Sequence, residues 1–271
     1  MNELVELTLY NLEQLEQTGR PLPAREELKS RLIELAESRS VPVVVFNCLN
    51  PDWRPGSKRD YPKAAFSFNP ETSICRYYQD YVAITLLALQ DLGTPNLNIV
   101  IPDSELLDER VFSFAQSKEE RIDTSLSAKS ALSSVLTELD NPEQAVTLWS
   151  EYCAGQSLKT PFEYTTENYR RIQSDPGLQK KVQDQIKDSA RFFDKKGVNF
   201  KKIDPRVIYE RIAWYEAMYM GEGQALLESG AIVLNFEDSR IAAWFQRGAD
   251  SKLPILTPVN ANDFYAWRRK S

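Results

Sequence analysis

Short, continuously apolar runs alternate with amphipathic stretches along most of this chain. The runs at 42–47, 97–101 and 230–236 are apolar at nearly every position, which is typical of strands buried on both faces of a parallel sheet. The stretches between them carry Leu, Ile and Val at the spacing of one helix face. This alternation predicts an α/β fold in which helices cover both faces of a parallel sheet.

The same pattern assigns the elements and their order. Strands are predicted at 42–47, 97–101, 145–152, 230–236 and 253–259, with a short helix as the alternative for 145–152. Helices are predicted at 2–17, 23–38, 71–93, 117–139, 165–173, 175–195, 204–229 and 237–248. The first strand is predicted to be central and parallel to those at 97–101 and 231–236. The chain is predicted to be a single domain, 1–271, with N-terminal helices at 1–40, half of the sheet at 41–160, charged helices at 161–203, and the last helix and strands at 204–271.

A glutamate interrupts the apolar face of the predicted helix at 204–229, for which Asp204 supplies an N-cap. The residues one turn away from Glu216 are Ile212, Ala213, Tyr219 and Met220. A carboxylate at this position is either buried or lines a pocket, and burial without a partner raises the pKa of a carboxyl group. Glu216 is therefore a candidate acid, base or ammonium anchor, and a salt bridge to an arginine is the alternative. On the same helix, Tyr215 is a candidate for catalysis and Tyr209 for contact with a substrate.

Polar side chains follow several predicted strands, at the edge where doubly wound sheets bind ligands. The first strand runs into Asn47, Cys48 and Asn50, which supply two amides and a thiol. The acidic residues at the other strand ends are Asp103, Glu105, Glu237 and Asp238. Contact with a substrate is one interpretation of these acids. The other is that they cap the helices that follow them, because carboxylates are favoured at helix N-termini.

Composition narrows the chemistry. The chain of 271 residues contains no histidine, so a general base must be a carboxylate, Lys, Tyr, Cys or the substrate itself, and the commonest metal ligand is missing. Its three cysteines are too few and too scattered for a disulfide framework or a zinc site, and no glycine-rich phosphate loop follows the first strand. No cofactor and no metal are therefore expected. The chain lacks a long apolar run and a signal-like N-terminus, so a cytoplasmic location without membrane contact is expected.

The charge is unevenly distributed. The net charge is −6, yet the segment 163–206 carries eleven basic and seven acidic residues. A basic stretch in an acidic protein can follow a phosphate backbone, and a solvated helix face is the alternative.

Three stretches resemble one enzyme family in their order. VVVFNCLNPDW (43–53) is similar to the family's first strand and loop, with Asn50 at its motif asparagine. RRIQSDPGLQKKVQDQIKDSARFF (170–193) is similar to its pair of charged helices, and YEAMYMGEGQALLESGAIVLNFEDS (215–239) to its helix with a glutamate and the strand ending in an aromatic, here Phe236. The order resembles that of the tRNA-dependent cyclodipeptide synthases, which have a Rossmann-like fold similar to the catalytic domain of class I aminoacyl-tRNA synthetases.

This resemblance implies an aminoacyltransferase that uses two aminoacyl-tRNAs to form a cyclic dipeptide through an aminoacyl-enzyme. It implies Glu216 and Asn50 as catalytic residues and Phe236 as a substrate contact. The family's nucleophilic serine falls on Asn47, which leaves a substrate-binding role for that residue, and Cys48 is the candidate nucleophile in its place. The family's tyrosine falls on Ile212.

The predicted partner is the acceptor arm of the tRNA. The basic residues predicted to bind it are Arg170, Arg171, Lys180, Lys181, Lys187, Lys195, Lys196, Lys201 and Lys202. The acidic strand ends predict a cationic substrate side chain such as arginine, because a guanidinium forms two-point hydrogen bonds with a carboxylate. Two alternatives remain open: an enzyme that acts on a free amino acid without tRNA, and a non-catalytic binding protein. Both a monomer and a homodimer are compatible with the sequence.

Overall fold

The computed structural model of the protein describes residues 2–15, 24–38, 41–46, 88–93, 96–103, 126, 129–130, 133, 145–194, 200–234 and 239–256. Its helices are α1 (Asn2–Leu15), α2 (Arg25–Ser38), α3 (Trp149–Gly155), α4 (Pro161–Ser174), α5 (Pro176–Asp194), α6 (Pro205–Glu228) and α7 (Ser239–Gly248), with a 3-10 turn at Phe200–Lys202. Its strands are β1 (Pro42–Phe46), β2 (Asn96–Ile101), β3 (Ala145–Leu148), β4 (Ile232–Leu234) and β5 (Ile255–Leu256).

The five strands form one sheet in the order β3-β2-β1-β4-β5. Each of the four strand pairs is parallel, and in β1 the residue Val44 lies beside Asn98 of β2 and Val233 of β4. The first strand is therefore central and parallel to both neighbours, as the sequence predicts. Parallel strands in this order, with helices packed against the sheet, define a Rossmann-like α/β fold.

Successive residues of β1, β4 and β5 belong to different hydrophobic clusters, because strand side chains alternate between the two faces of a sheet. Val43 packs in a cluster formed with α1 and α2, whereas Val44 packs in a second cluster formed with α3 to α7. The same alternation separates Ile232 from Val233 in β4. Helices thus cover both faces of the sheet, which confirms the predicted fold class and explains why the strands are apolar throughout.

Helix α6 is the central element of the second face. Asp204 caps it, as predicted, by accepting a hydrogen bond from the Arg206 backbone N–H at 2.8 Å, and Pro205 occupies its first turn. Two glycines permit close contact between α6 and α7: a Cβ on Gly223 would lie 2.2 Å from the carbonyl oxygen of Phe245, and one on Gly248 would lie 1.8 Å from that of Met220. The two backbones therefore touch where the helices cross.

Several predicted boundaries are wrong. The strand predicted at 145–152 ends at Leu148, and the helix α3 begins at once, so each of the two alternatives holds for half of that segment. Helix α4 starts at Pro161 rather than at 165, because Thr160 and Glu163 form a capping box that orders the first turn. Strand β4 starts at Ile232 rather than at 230, because Gly230 lies in a turn with a φ of 73°. Most of the helices predicted at 71–93 and 117–139 lies outside the described residues, as do residues 235–238 and 257–259 of the last predicted elements.

Candidate functional site

The Glu216 side chain is fully buried on α6, at 0% exposure, within the cluster that covers the second face of the sheet. Its burial agrees with the apolar residues one turn away on either side. Helix α6 leads into β4 through the three residues 229–231, so it runs back along the sheet, antiparallel to the strands. Glu216 lies thirteen residues before Ser229, or about 20 Å along the helix, whereas β4 extends only about 10 Å from the same end. Glu216 thus lies beyond the carboxyl end of β4.

A second buried carboxylate lies on the same helix. Glu222 is 1% exposed, and it acts electrostatically on the Cys153 thiol of α3. The sequence analysis missed Glu222, although it carries the same signal as Glu216. Its neighbours one turn away are Met218, Tyr219, Ala225 and Leu226. By helical rise, Glu222 lies about 10 Å from Ser229, level with the end of β4.

Two tyrosine hydroxyl groups meet beside Glu216. The buried Tyr219 donates a hydrogen bond to the Tyr215 hydroxyl oxygen at 2.7 Å, and their rings make an edge-to-face contact with 4.8 Å between centroids. The i, i+4 spacing puts both side chains on one face of α6. Tyr209, two turns towards the N-terminus, is half-buried, and burial raises the pKa of its phenol. The hydrogen bond from the buried Tyr219 thus orients the Tyr215 hydroxyl group, and the sequence does not predict this bond.

Helix α7 brings an arginine to this region. The Arg247 guanidinium lies over the Trp244 ring, 4.4 Å from its centroid. Burial lowers the pKa of Arg247 below its ordinary value, and the negative charge of Glu216 acts in the opposite direction. The Trp244–Arg247 spacing of i, i+3 was visible in the sequence, but its proximity to Glu216 was not.

Asp103, at the end of β2, contacts the start of α3. One carboxylate oxygen accepts the Ser150 backbone N–H at 2.9 Å, and the other accepts the Ser150 hydroxyl. Burial raises the pKa of the Asp103 carboxyl group, although both hydrogen bonds from Ser150 act in the opposite direction. Asp103 therefore caps a helix, although not the helix that follows it in the chain, which is the one the sequence suggests. The capped helix is one that lies forty-seven residues away in sequence.

The other predicted site residues divide by whether they are described. Those outside the described residues are Asn47, Cys48, Asn50, Glu105, Lys195, Lys196, Phe236, Glu237 and Asp238. The described basic residues Arg170, Arg171, Lys180, Lys181, Lys187, Lys201 and Lys202 are all exposed, and so is Arg206. Two of them take part in ion pairs, Arg171 with Asp250 at 2.7 Å and Lys187 with Asp184 at 3.1 Å.

The described ranges of the chain hold neither a group of metal ligands nor a membrane-spanning helix. In those ranges, no three His, Cys, Asp or Glu side chains are grouped as metal ligands would be. None of the helices described there is both long and apolar enough to cross a membrane.

These features define an α/β protein of the Rossmann-like class, in which a long helix beside the central strands carries two buried carboxylates. Comparison with known proteins finds no matching family model, no matching curated protein and no matching solved structure.

The surroundings of Cys153 predict that its thiol is unreactive in the folded protein. Burial, followed by the negative charges of Glu222 and Asp103, raises its pKa to about 12. At pH 8 roughly one thiol in 10⁴ is then ionised, and the thiolate is the nucleophile. With iodoacetamide at pH 8, we expect the peptide that contains Cys153 to stay unmodified in the native protein and to react fully in 6 M guanidinium. Rapid alkylation of the native protein at Cys153 would contradict this account.

Proposed function

We propose that the protein is an aminoacyltransferase of the cyclodipeptide synthase type, which uses aminoacyl-tRNAs to form a cyclic dipeptide. The observation that carries the proposal is the complete burial of Glu216 on the helix that leads into β4, beside the central strand of a parallel sheet. A buried carboxylate beyond the ends of such strands lies where doubly wound proteins bind their substrates. The order of sequence motifs around it is the second support.

The proposed reaction forms two amide bonds and breaks the two esters that join the amino acids to their tRNAs. Each amide requires an α-ammonium group to lose its proton before its nitrogen can attack a carbonyl carbon. In a chain without histidine, a carboxylate such as Glu216 is suited to hold that ammonium group and to accept its proton. We propose the Cys48 thiol as the group that holds the first aminoacyl residue and the Asn50 side chain as a neighbouring hydrogen-bonding group.

We further propose Tyr215 as a catalytic group beside Glu216. Its hydroxyl oxygen accepts a hydrogen bond from Tyr219, which favours donation of the Tyr215 proton to a bound substrate. A tyrosine with a fixed hydroxyl group can orient the reacting carbonyl oxygen or pass on a proton. The half-buried Tyr209 is the proposed contact with the substrate side chain.

The direct test is to incubate the purified protein with charged tRNAs and to identify the small products by mass spectrometry. Formation of a diketopiperazine that requires both the protein and the charged tRNA supports the proposal. A product formed from free amino acids without tRNA would instead indicate an enzyme that acts on free amino acids. Stable binding of charged tRNA without any product would indicate a non-catalytic binding protein.

The exposed basic residues of α5 and of the turn before α6 predict a salt-dependent interaction with tRNA. Lys180, Lys181 and Lys202 are exposed, so each can neutralise a phosphate and release counterions. Changing these three to glutamine should weaken tRNA binding, and it should reduce the slope of log K against log salt by about two to three. Filter binding or fluorescence anisotropy between 50 and 300 mM salt measures both effects.

A control with the same change in net charge is available on the opposite face of the sheet. The exposed residues Asn2, Asn11 and Ser30 of α1 and α2 can be changed to aspartate, and we expect the salt slope to stay as in the parent protein. Equal losses in the two triple variants would show that overall charge governs binding. The segment of α5 would then be a solvated helix face.

The acidic strand ends motivate a proposed preference for a cationic aminoacyl group such as arginine. Asp103 is the described member of this set, and its carboxylate already accepts two hydrogen bonds from Ser150. If it also binds a guanidinium, Asp103→Asn should reduce arginine-containing products at least tenfold relative to other products. A profile that is unchanged in Asp103→Asn, or products that contain only apolar residues, would restrict Asp103 to capping α3.

A further inference from the structure

The close crossing of α6 and α7 brings one charged residue of each helix into the same region. The Cβ of an alanine at Gly248 would lie 1.8 Å from the Met220 carbonyl oxygen, so the two backbones are in direct contact there. Arg247 immediately precedes Gly248, and Glu216 lies one turn before Met220 on α6. Arg247 and Glu216 are thus each within one helical turn of the same backbone contact, so the two residues lie near each other in space.

The Arg247 side chain is held in this region by its own helix. Its guanidinium lies 4.4 Å from the centroid of the Trp244 ring, a cation–π geometry that restricts where the charge can be. The side chain is half-buried. The negative charge of Glu216 opposes the lowering of the Arg247 pKa that burial causes, so the two side chains lie near enough for their charges to interact.

Other titratable groups surround this part of α6. Those that the neighbouring helices bring against it are Cys153 of α3, Tyr164 and Tyr169 of α4 and Arg247 of α7, and α6 itself adds Tyr215, Tyr219 and Glu222. Among the side chains of α5 that the structure describes, the buried ones are Leu178, Val182 and Gln185, and none of these three titrates. Within this set, Arg247 carries the positive charge.

From this geometry we propose that Arg247 is a positioning residue that keeps the buried Glu216 side chain in its carboxylate form. A carboxylate in the interior needs a compensating charge, because isolated burial strongly favours the neutral acid. Glu216 is then equipped to accept a proton or to hold an ammonium group, and it is not a proton donor. This consequence for catalysis rests on the proposed function, whereas the coupling between the two side chains does not.

A double-mutant cycle on thermal stability measures that coupling without any substrate. Arg247→Met removes the charge but retains a side chain that packs on Trp244, and Glu216→Gln removes the opposite charge. At pH 8 we expect Arg247→Met to lower Tm by about 5 °C, and to lower it by less than half as much when Glu216→Gln is also present. Arg247→Lys should retain most of the stability, because it retains the charge.

The pH dependence has a defined sign. In Arg247→Met the buried Glu216 carboxylate has lost the positive charge of Arg247, so the folded protein is more stable when Glu216 is protonated. The loss of Tm is therefore greatest at pH 8 and shrinks as the pH falls towards 5. Arg171→Met, which breaks an exposed ion pair with Asp250, is the matched control and should lower Tm by less than about 2 °C.

Equal effects of Arg247→Met in both backgrounds, or a loss that does not change with pH, would overturn the proposal. If Arg247→Met does not fold, the double variant should fold, and failure of both would also overturn it. If the protein shows the coupling but forms no product, the role of Arg247 stands and the proposed function is wrong. If product forms, Arg247→Met should move the acid limb of the kcat/KM profile to higher pH, whereas a purely structural role would lower the rate equally at every pH.

Discussion

Replacing Glu216 with glutamine is expected to reduce the formation of cyclic dipeptide by about 10²–10⁴-fold, the usual range for loss of a general acid or base. Glutamine has nearly the same size, so the fully buried site stays filled. It can neither accept a proton at neutral pH nor carry a charge that holds an ammonium group. The initial rate with two charged tRNAs, followed by mass spectrometry, measures the effect.

The matched control for this variant lies on the same helix. Glu228 is exposed at the far end of α6, where its carboxylate accepts hydrogen bonds from Tyr164 at 2.5 Å and Gln224 at 2.9 Å. Glu228→Gln makes the same chemical change about 18 Å away along the helix, and we expect the parent rate. A folded Glu216→Gln protein that also keeps the parent rate would remove Glu216 from the active site.

Changing Gly248 to alanine is expected to have the largest effect on stability. The added Cβ would lie 1.8 Å from the carbonyl oxygen and 2.5 Å from the carbonyl carbon of Met220. These are backbone atoms in the middle of α6, so they cannot rotate away, and the two helices have to separate. Overpacking of this kind destabilises a protein by about 3 kcal/mol or more, which corresponds to roughly 6–12 °C in Tm for a chain of this size. Urea unfolding followed by circular dichroism measures the loss.

Gly155 provides the corresponding control. It is the last residue of α3, and a Cβ added there would have no atom within 4 Å. Gly155→Ala should therefore leave stability unchanged or raise it slightly, because alanine favours the helix by up to about 1 kcal/mol. If the two alanine variants were equally stable, α6 and α7 would not be in contact at Gly248.

The sheet is the part of the fold that the sequence predicts best. Val43, Val44 and their neighbours in β1 are apolar at successive positions. Such a run is typical of a strand that is buried on both faces of the sheet. The N-cap Asp204 and the following Pro205 likewise mark the start of α6, because both act within the first helical turn. Local rules of this kind depend on residues a few positions apart, and they can be read directly.

The sequence predicts two element boundaries less well, the end of β3 and the start of α4. Leu148 closes β3 and Trp149 opens α3, and neither glycine nor proline marks the change. The predicted start of α4 is four residues late, although its first turn begins with Pro161 and contains the aromatic residues Phe162 and Tyr164. At α4 the chain does carry a local signal, the capping box at Thr160, but hydrophobic periodicity alone does not find it.

For the site, the sequence by itself determined that Glu216 belongs in the interior, because every position one turn away from it is apolar or aromatic. These neighbours follow from helical spacing alone and do not depend on the tertiary structure. The partners were decided only by tertiary structure. Asp103 meets Ser150 and Arg247 meets Glu216 through contacts between elements that are far apart in sequence. Such contacts depend on which strands are adjacent in the sheet and on how closely two helices approach each other. The pattern of residues along the chain determines neither of these.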